Sequence, residues 1–138
     1  EIVDLQGNVV GRHDGVAFYT IGQKRGLEVD LSGVCIVEID AERNQLIVGP
    51  NQNLYHEILE VKRCNIVDID EFMSSDDVSV VIRGIGRNPE GFMRRVEHID
   101  GGYCIRLDDP AWAPAVGQPV VFYRQNRVIG GGILERYR

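Results

Sequence analysis

Three kinds of residue in this chain have the chemistry for a site: thiols, imidazoles and a run of three glycines. The thiols are Cys35, Cys64 and Cys104. A nucleophilic or metal-binding cysteine needs a base, an electropositive setting or a second cysteine at short spacing. No CxxC occurs, and an odd number argues against a disulfide framework. "GVCIVEI" and "GYCIRL" read as strand interiors, so all three thiols are expected to be small core residues in a reducing compartment. The imidazoles His13, His56 and His98 are far apart and lack metal-ligand spacing. His13-Asp14 has the composition of a general base with its orienter, but it stands at a hairpin end before Gly15, where a turn role is expected. Asp76-Asp77 and Asp108-Asp109 sit beside loop residues and read as solvated turns. No nucleophile elbow is present. The chain is assigned no catalytic residue and no metal ligand.

The glycines are Gly130, Gly131 and Gly132, inside "GQPVVFYRQNRVIGGGIL". No Gly-Lys-Ser/Thr follows them, which excludes a Walker loop, and no helical pattern follows, which excludes a dinucleotide fingerprint. Three glycines in a strand mark a bulge, a bend or a close approach of backbones. The packing reading is the one expected here.

The elements that would hold these residues are strands. Period-two patterns dominate. "EIVDLQ" and "GNVVGRH" flank Gly7-Asn8, "GVCIVEID" and "QLIVG" flank "AERN", "GFMRRVEHI" and "GYCIRL" flank Asp100-Gly101, and "PVVFYR" and "RVIGGGIL" flank Gln125-Asn126. Each is a hairpin signal. "VAFYTIG" is another β-rich run. "VSVVIRGIG" places Val78, Val80 and Ile82 on one face and Ser79, Val81 and Arg83 on the other. Only "QNLYHEILEV" and "DIDEFMSS" have the pattern of short helices. Many short strands at near-regular spacing mean an all-β barrel or sandwich.

Composition bounds the function. The chain has 138 residues, 43% of them apolar, which allows one domain or two small ones. Its longest apolar stretch falls far short of the roughly 20 residues of a membrane helix. No secretory leader is visible, so a soluble cytoplasmic protein is expected. The chain opens on strand-like "EIVDL", and its first methionine is Met73, as expected of a piece of a longer protein. A net charge of −6 counts against purely electrostatic nucleic-acid binding. The charge is uneven: residues 1–60 carry ten acids and four bases, residues 61–138 eleven of each. The change near residue 60 suggests two small β units, 1–60 and 61–138. Arg83, Arg87, Arg94, Arg95, Arg124, Arg127, Arg136 and Arg138 lie in the second, either as a basic face or as a mixed, solvated surface.

Two stretches are far more specific than composition. The first runs from Gly7 through Gly11, His13 and Gly15 to Tyr19-Thr20-Ile21-Gly22-Gln23-Lys24-Arg25-Gly26-Leu27. The second runs from Val116-Gly117-Gln118-Pro119-Val120-Val121-Phe122-Tyr123 to Ile129-Gly130-Gly131-Gly132-Ile133-Leu134. In order and separation they resemble the C-terminal half of the tRNA-specific 2-thiouridylases, the MnmA/TrmU family, over essentially the whole chain.

That resemblance implies an all-β fold: a small central β domain, residues 1–60, followed by a C-terminal β-barrel similar to those of translation factors, residues 61–138. It implies that the full-length protein is a tRNA sulfurtransferase. Such an enzyme adenylates the wobble uridine and takes sulfur from a cysteine persulfide. ATP, with Mg, belongs to an N-terminal ATP-pyrophosphatase domain, and the catalytic cysteines also lie upstream. This part alone is therefore expected to hold no cofactor and to be inactive. The implied partners are tRNA and a sulfur-carrier protein that donates persulfide sulfur; no membrane is implied. The RNA contacts carried over are Arg83 and Gly84, at an Arg-Tyr pair of the family, and Gln118, its Pro-Gly-Gln glutamine. Gly84 lacks the tyrosine ring, and Val116 and Ile66 replace a family proline and tryptophan. A second reading is a stand-alone translation-factor-like barrel that binds RNA or protein without catalysis.

Overall fold

The structure, a computed structural model, describes residues 1–82 and 91–138. The chain divides into two compact units, Glu1–Leu54 and Tyr55–Arg138. The division falls six residues before the expected one at residue 60. The physical reason is β5, Tyr55–Ile66, a single strand that carries the charge change on its own surface.

The first unit is a four-stranded sheet of β1 (Ile2–Val3), β2 (Val9–Gly11), β3 (Cys35–Asp40) and β4 (Gln45–Gly49) in the order β2-β1-β4-β3. Both expected hairpins are present, and β1 also lies parallel to β4. The first turn is closed by Asp4, whose carboxylate accepts from the Gln6 and Asn8 amides at 2.9 and 2.8 Å. Ile2, Ile36, Leu46 and Val48 form the buried core.

"VAFYTIG" is not a strand. Val16–Phe18 is one turn of 3₁₀-helix, and the segment then runs irregularly over the core, with Val16, Tyr19, Ile21, Leu27 and Val29 packed against it. Its backbone partly replaces strand pairing: the Gly22 amide donates to Ile36 O at 2.7 Å, the Ile36 amide to Gln23 O at 3.0 Å, and the Asp30 amide to Val10 O at 3.1 Å. An apolar run can thus satisfy a core without being a strand.

The second unit is a closed barrel of β5, β6 (Val78–Ile82), β7 (Gly91–Ile99), β8 (Gly102–Trp112), β9 (Pro119–Arg124) and β10 (Arg127–Tyr137), in the order β10-β5-β8-β7-β6-β9. The all-β class and the barrel expected from sequence are both observed. Val78, Val80 and Ile82 are fully buried while Ser79 and Val81 are not, as the period of two requires. "QNLYHEILEV" is not a helix, because only Asn51–Leu54 makes a 3₁₀ turn before β5 begins. Asp108-Asp109 is not a turn either; both residues lie within β8, where the β5 pairing jumps from Ala111 to Arg106.

One helix forms where "DIDEFMSS" predicts it: α1, Ile69–Ser74, capped by Asp68, whose carboxylate accepts from the Glu71 amide at 3.2 Å. Six residues make a weak helix in isolation. Phe72 anchors this one, buried in the barrel core with ring centroids 4.8 Å from Phe122 and 5.0 Å from Tyr103.

Candidate nucleic-acid interface

Of the three residues expected to contact RNA, Arg83 and Gly84 lie outside the described residues, as does Arg87. Gln118 is described. It closes the turn that leads into β9. Its side-chain Oε1 accepts from the Ala115 amide at 2.8 Å, and its own amide donates to Ala115 O at 3.2 Å. The turn is sewn to β10, since the Gly117 amide donates to Leu134 O at 2.8 Å and the Leu134 amide to Gln118 O at 2.9 Å. Only oxygen can accept from an amide, so the Gln118 Nε2 is the end left over, with no partner among the described residues. The residue is a donor held by its own turn. Beside it, Val116 is 64% exposed at the tip.

A shallow hollow of about 290 Å³ adjoins the turn, lined in part by Lys62, Arg63, Val116 and Gly117. Lys62 Nζ donates to Asp100 O. Arg63 has a left-handed backbone, φ 53°, where β5 carries an extra residue against β10. Sequence reasoning passed over Arg63. The signal was a lost alternation in "VKRCNI", where Val61 faces inward and Lys62 and Arg63 do not.

The glycine run is a close backbone approach. A Cβ at Gly130 would stand 2.6 Å from Ile66 Cδ1 and 2.9 Å from Asn65 O, and one at Gly131 2.8 Å from Val120 O. Carbonyl oxygens back these glycines, which is the wrong charge for a phosphate. Among the described residues no group of three or more carboxylates, imidazoles or thiols converges on a metal position.

The other candidates have structural partners. The His13 Nδ1 accepts from the Gly15 amide at 3.0 Å, and its Nε2 donates to Asn44 O at 2.8 Å. Both nitrogens are spent on holding loops, as the turn reading expects. Cys35 is buried and Cys64 half-buried, and burial raises both thiols above their ordinary values, which disfavours thiolate. Cys104 departs from the expected core position: it pairs between Glu60 and Glu97 on the outer face of the barrel.

Most of the arginines are engaged by acids. Arg124 reaches Asp77 at 2.8 Å and Glu71 at 3.0 Å, Arg127 reaches Glu71 at 3.0 Å, and Arg94 reaches Asp108 at 3.0 Å. Arg106 lies 3.3 Å from Glu57 and Arg136 lies 3.6 Å from Glu60. That is the mixed surface. Arg95 and Arg138 have no acidic partner among the described residues.

The comparisons decide the family. A family profile described as "Aminomethyltransferase beta-barrel domain" matches residues 58–134, more than half of the chain. The chain belongs to that family. A second profile, "tRNA methyl transferase PRC-barrel domain", matches residues 1–50. Over 96% of its length the chain is 37% identical to the tRNA-specific 2-thiouridylase MnmA of Natranaerobius thermophilus. It is 35% identical to the protein of that name from Clostridium perfringens, again over 96%. It is 35% identical over 99% to the tRNA-specific 2-thiouridylase MnmA 2 of Caldanaerobacter subterraneus subsp. tengcongensis. The resemblance seen in the motifs is borne out. The chain spans only 36–37% of the length of these relatives. No helix among the described residues is long and apolar enough to cross a membrane.

Proposed function

We propose that this chain is the tRNA-facing part of a tRNA-specific 2-thiouridylase. The observation that carries this reading is the 37% identity, over 96% of the chain, to a protein named for that activity. In this reading the full-length protein makes 2-thiouridine at the wobble position, by ATP-dependent adenylation followed by persulfide sulfur transfer. ATP and Mg are held outside this chain, and a sulfur-carrier protein supplies the sulfur in the cytoplasm. The barrel's task is to position the tRNA, not to react with it. Gln118 offers its Nε2 to a phosphate or base oxygen, because its Oε1 is already occupied. An uncharged donor positions the backbone without adding a counterion-release contribution. Arg83 and Gly84 are proposed as further RNA contacts on the family motif alone.

The test uses Gln118→Glu in the full-length protein. The carboxylate still accepts from the Ala115 amide, so the turn stays closed, but the donor is replaced by a negative charge. Stability within about 0.5 kcal/mol of wild type is expected, with tRNA affinity and 2-thiouridine formation both reduced. Wild-type affinity in this variant would remove Gln118 from the interface. The chain by itself is expected to show no ATP turnover, and turnover that a point substitution within it abolishes would overturn the assignment.

A further inference from the structure

Four residues stand in one row across the barrel, three on β7, β8 and β5 and the fourth, Arg138, directly after β10. Arg95 of β7 pairs directly with Arg106 of β8, and Arg106 pairs with Ile58 of β5. Ile58 and Arg138 exchange both backbone hydrogen bonds, at 3.0 and 2.9 Å. Directly opposed residues of an antiparallel pair project to the same face. The row therefore presents Arg138, Ile58, Arg106 and Arg95 side by side, spanning about 14 Å at the usual strand spacing. All four line one cleft of about 160 Å³ on the outer wall.

Two features make this row unlike an ordinary solvated surface. Like charges directly opposite on paired strands are destabilising, and Arg95 and Arg106 are such a pair. Arg95 is also turned outward by a bulge. The β7–β8 register shifts between Met93 and Arg95, so that Arg94 and Arg95 are both exposed, while Met93 and Val96 pack toward the core. Bulges re-aim side chains, here into the cleft. Among the described residues, Arg106 alone of the three guanidinium groups makes an ion pair, with Glu57 at 3.3 Å and both side chains half exposed. Glu97 lines the same cleft but makes no ion pair with Arg95 within 4.0 Å. Two guanidinium forks are thus unspent in one concavity, with an isoleucine between strands to rest a ribose against.

We propose that the row Arg138–Arg106–Arg95 is a contact site for the sugar-phosphate backbone of RNA. The inference rests on the tRNA-facing reading and names a surface other than the Gln118 turn. Guanidinium forks match phosphate oxygens bidentately, and a row of this length engages more than one phosphate. The bound polyanion offsets the repulsion that the bare protein carries.

The experiment measures tRNA binding by the full-length protein at several salt concentrations for wild type, Arg95→Gln, Arg95→Glu and Gln118→Glu, with melting temperatures for each. Arg95→Gln is expected to weaken tRNA about threefold to tenfold and to reduce the slope of log affinity against log salt by about one. Arg95→Glu, which sets a carboxylate opposite Arg106, weakens it further. Neither is expected to melt below wild type, whereas a merely structural arginine would lower the melting temperature. Wild-type affinity and slope in both Arg95 variants, with Gln118→Glu weakened, overturns the row and leaves the tRNA reading standing. Wild-type affinity in all three overturns both. Inorganic phosphate at constant ionic strength separates the sources of the anion. Displacement of tRNA only at high phosphate supports the row. Tight phosphate binding with tRNA affinity unmoved by the Arg95 variants assigns the cleft to a small anion and overturns it.

Discussion

A methyl group added at Gly132 would sit 2.7 Å from the Lys62 carbonyl oxygen and from Val61 Cγ1, and 2.9 Å from Cys64 Sγ. The first of these is backbone and cannot swing away. Gly132→Ala is therefore expected to lower stability by about 2 kcal/mol, in the range of overpacked cores. Gly117 makes the contrast: its φ is +92° and nothing lies within 4 Å of a Cβ there, so Gly117→Ala carries backbone strain alone, about 1 kcal/mol. Urea unfolding of the two variants checks the order, and equal losses would mean that β5 yields at Gly132. The need for glycine at 130–132 was legible as a break in a strand pattern. Which atoms crowd it was not, because β5 lies some seventy positions earlier in the chain. Gln118 divides the same way. Its place beside a turn could be read, but the spending of its Oε1 on Ala115 is a fact of geometry.

Among the elements, α1 shows how a short helix is held. Glu71 is drawn down to about 2 from an ordinary 4.5, chiefly by hydrogen bonds from Arg127 and then from Arg124. The folded value lies below the unfolded one, so the unfolded chain binds the extra proton between these values. The contribution of Glu71 is complete above about pH 4.5 and disappears as pH falls through about 2. Glu71→Gln is expected to be less stable than wild type at neutral pH, with the difference closing toward pH 2. Urea midpoints measured across that range test it, and a gap that does not change with pH would refute the ion-pair origin. Asp68→Ala removes the cap and costs about 1 kcal/mol at neutral pH. Strand periods were readable for β6 and for all four hairpins. They misled at "VAFYTIG", where a loop covers the core, and they do not show the extra residue that β7 carries between Met93 and Arg95. A period of two has no means of announcing an extra residue. The proposed arginine row depends on that extra residue.

At the scale of the whole chain, two cores of unequal size predict two unfolding events. Among the described residues the barrel buries fifteen in one cluster, the first unit four in its own. Stability grows with the area removed from water, at roughly 25 cal/mol per Å². Trp112, the one tryptophan in the sequence, lies in β8 and reports on the barrel. In urea the far-UV circular dichroism is expected to begin falling before tryptophan fluorescence changes. Coincident curves would show that the units unfold as one. Charge counting suggested two units but misplaced their boundary, since charges mark surfaces and β5 has a surface of its own.

The closed ring of strands has a consequence for how the protein behaves in concentrated solution. A barrel offers no unpaired sheet edge onto which a second chain could add. The sheet of the first unit is open, and its outer strands β3 and β2 are shielded by the backbone of Gly22, Gln23 and Asp30. Between those residues Lys24 and Arg25 are exposed to trypsin. A single cut there frees the shield while the barrel stays closed. Fibrous self-association, followed by light scattering, is then expected to start from the sheet of residues 1–54, with the attached barrel of residues 55–138 staying folded and its tryptophan fluorescence unchanged.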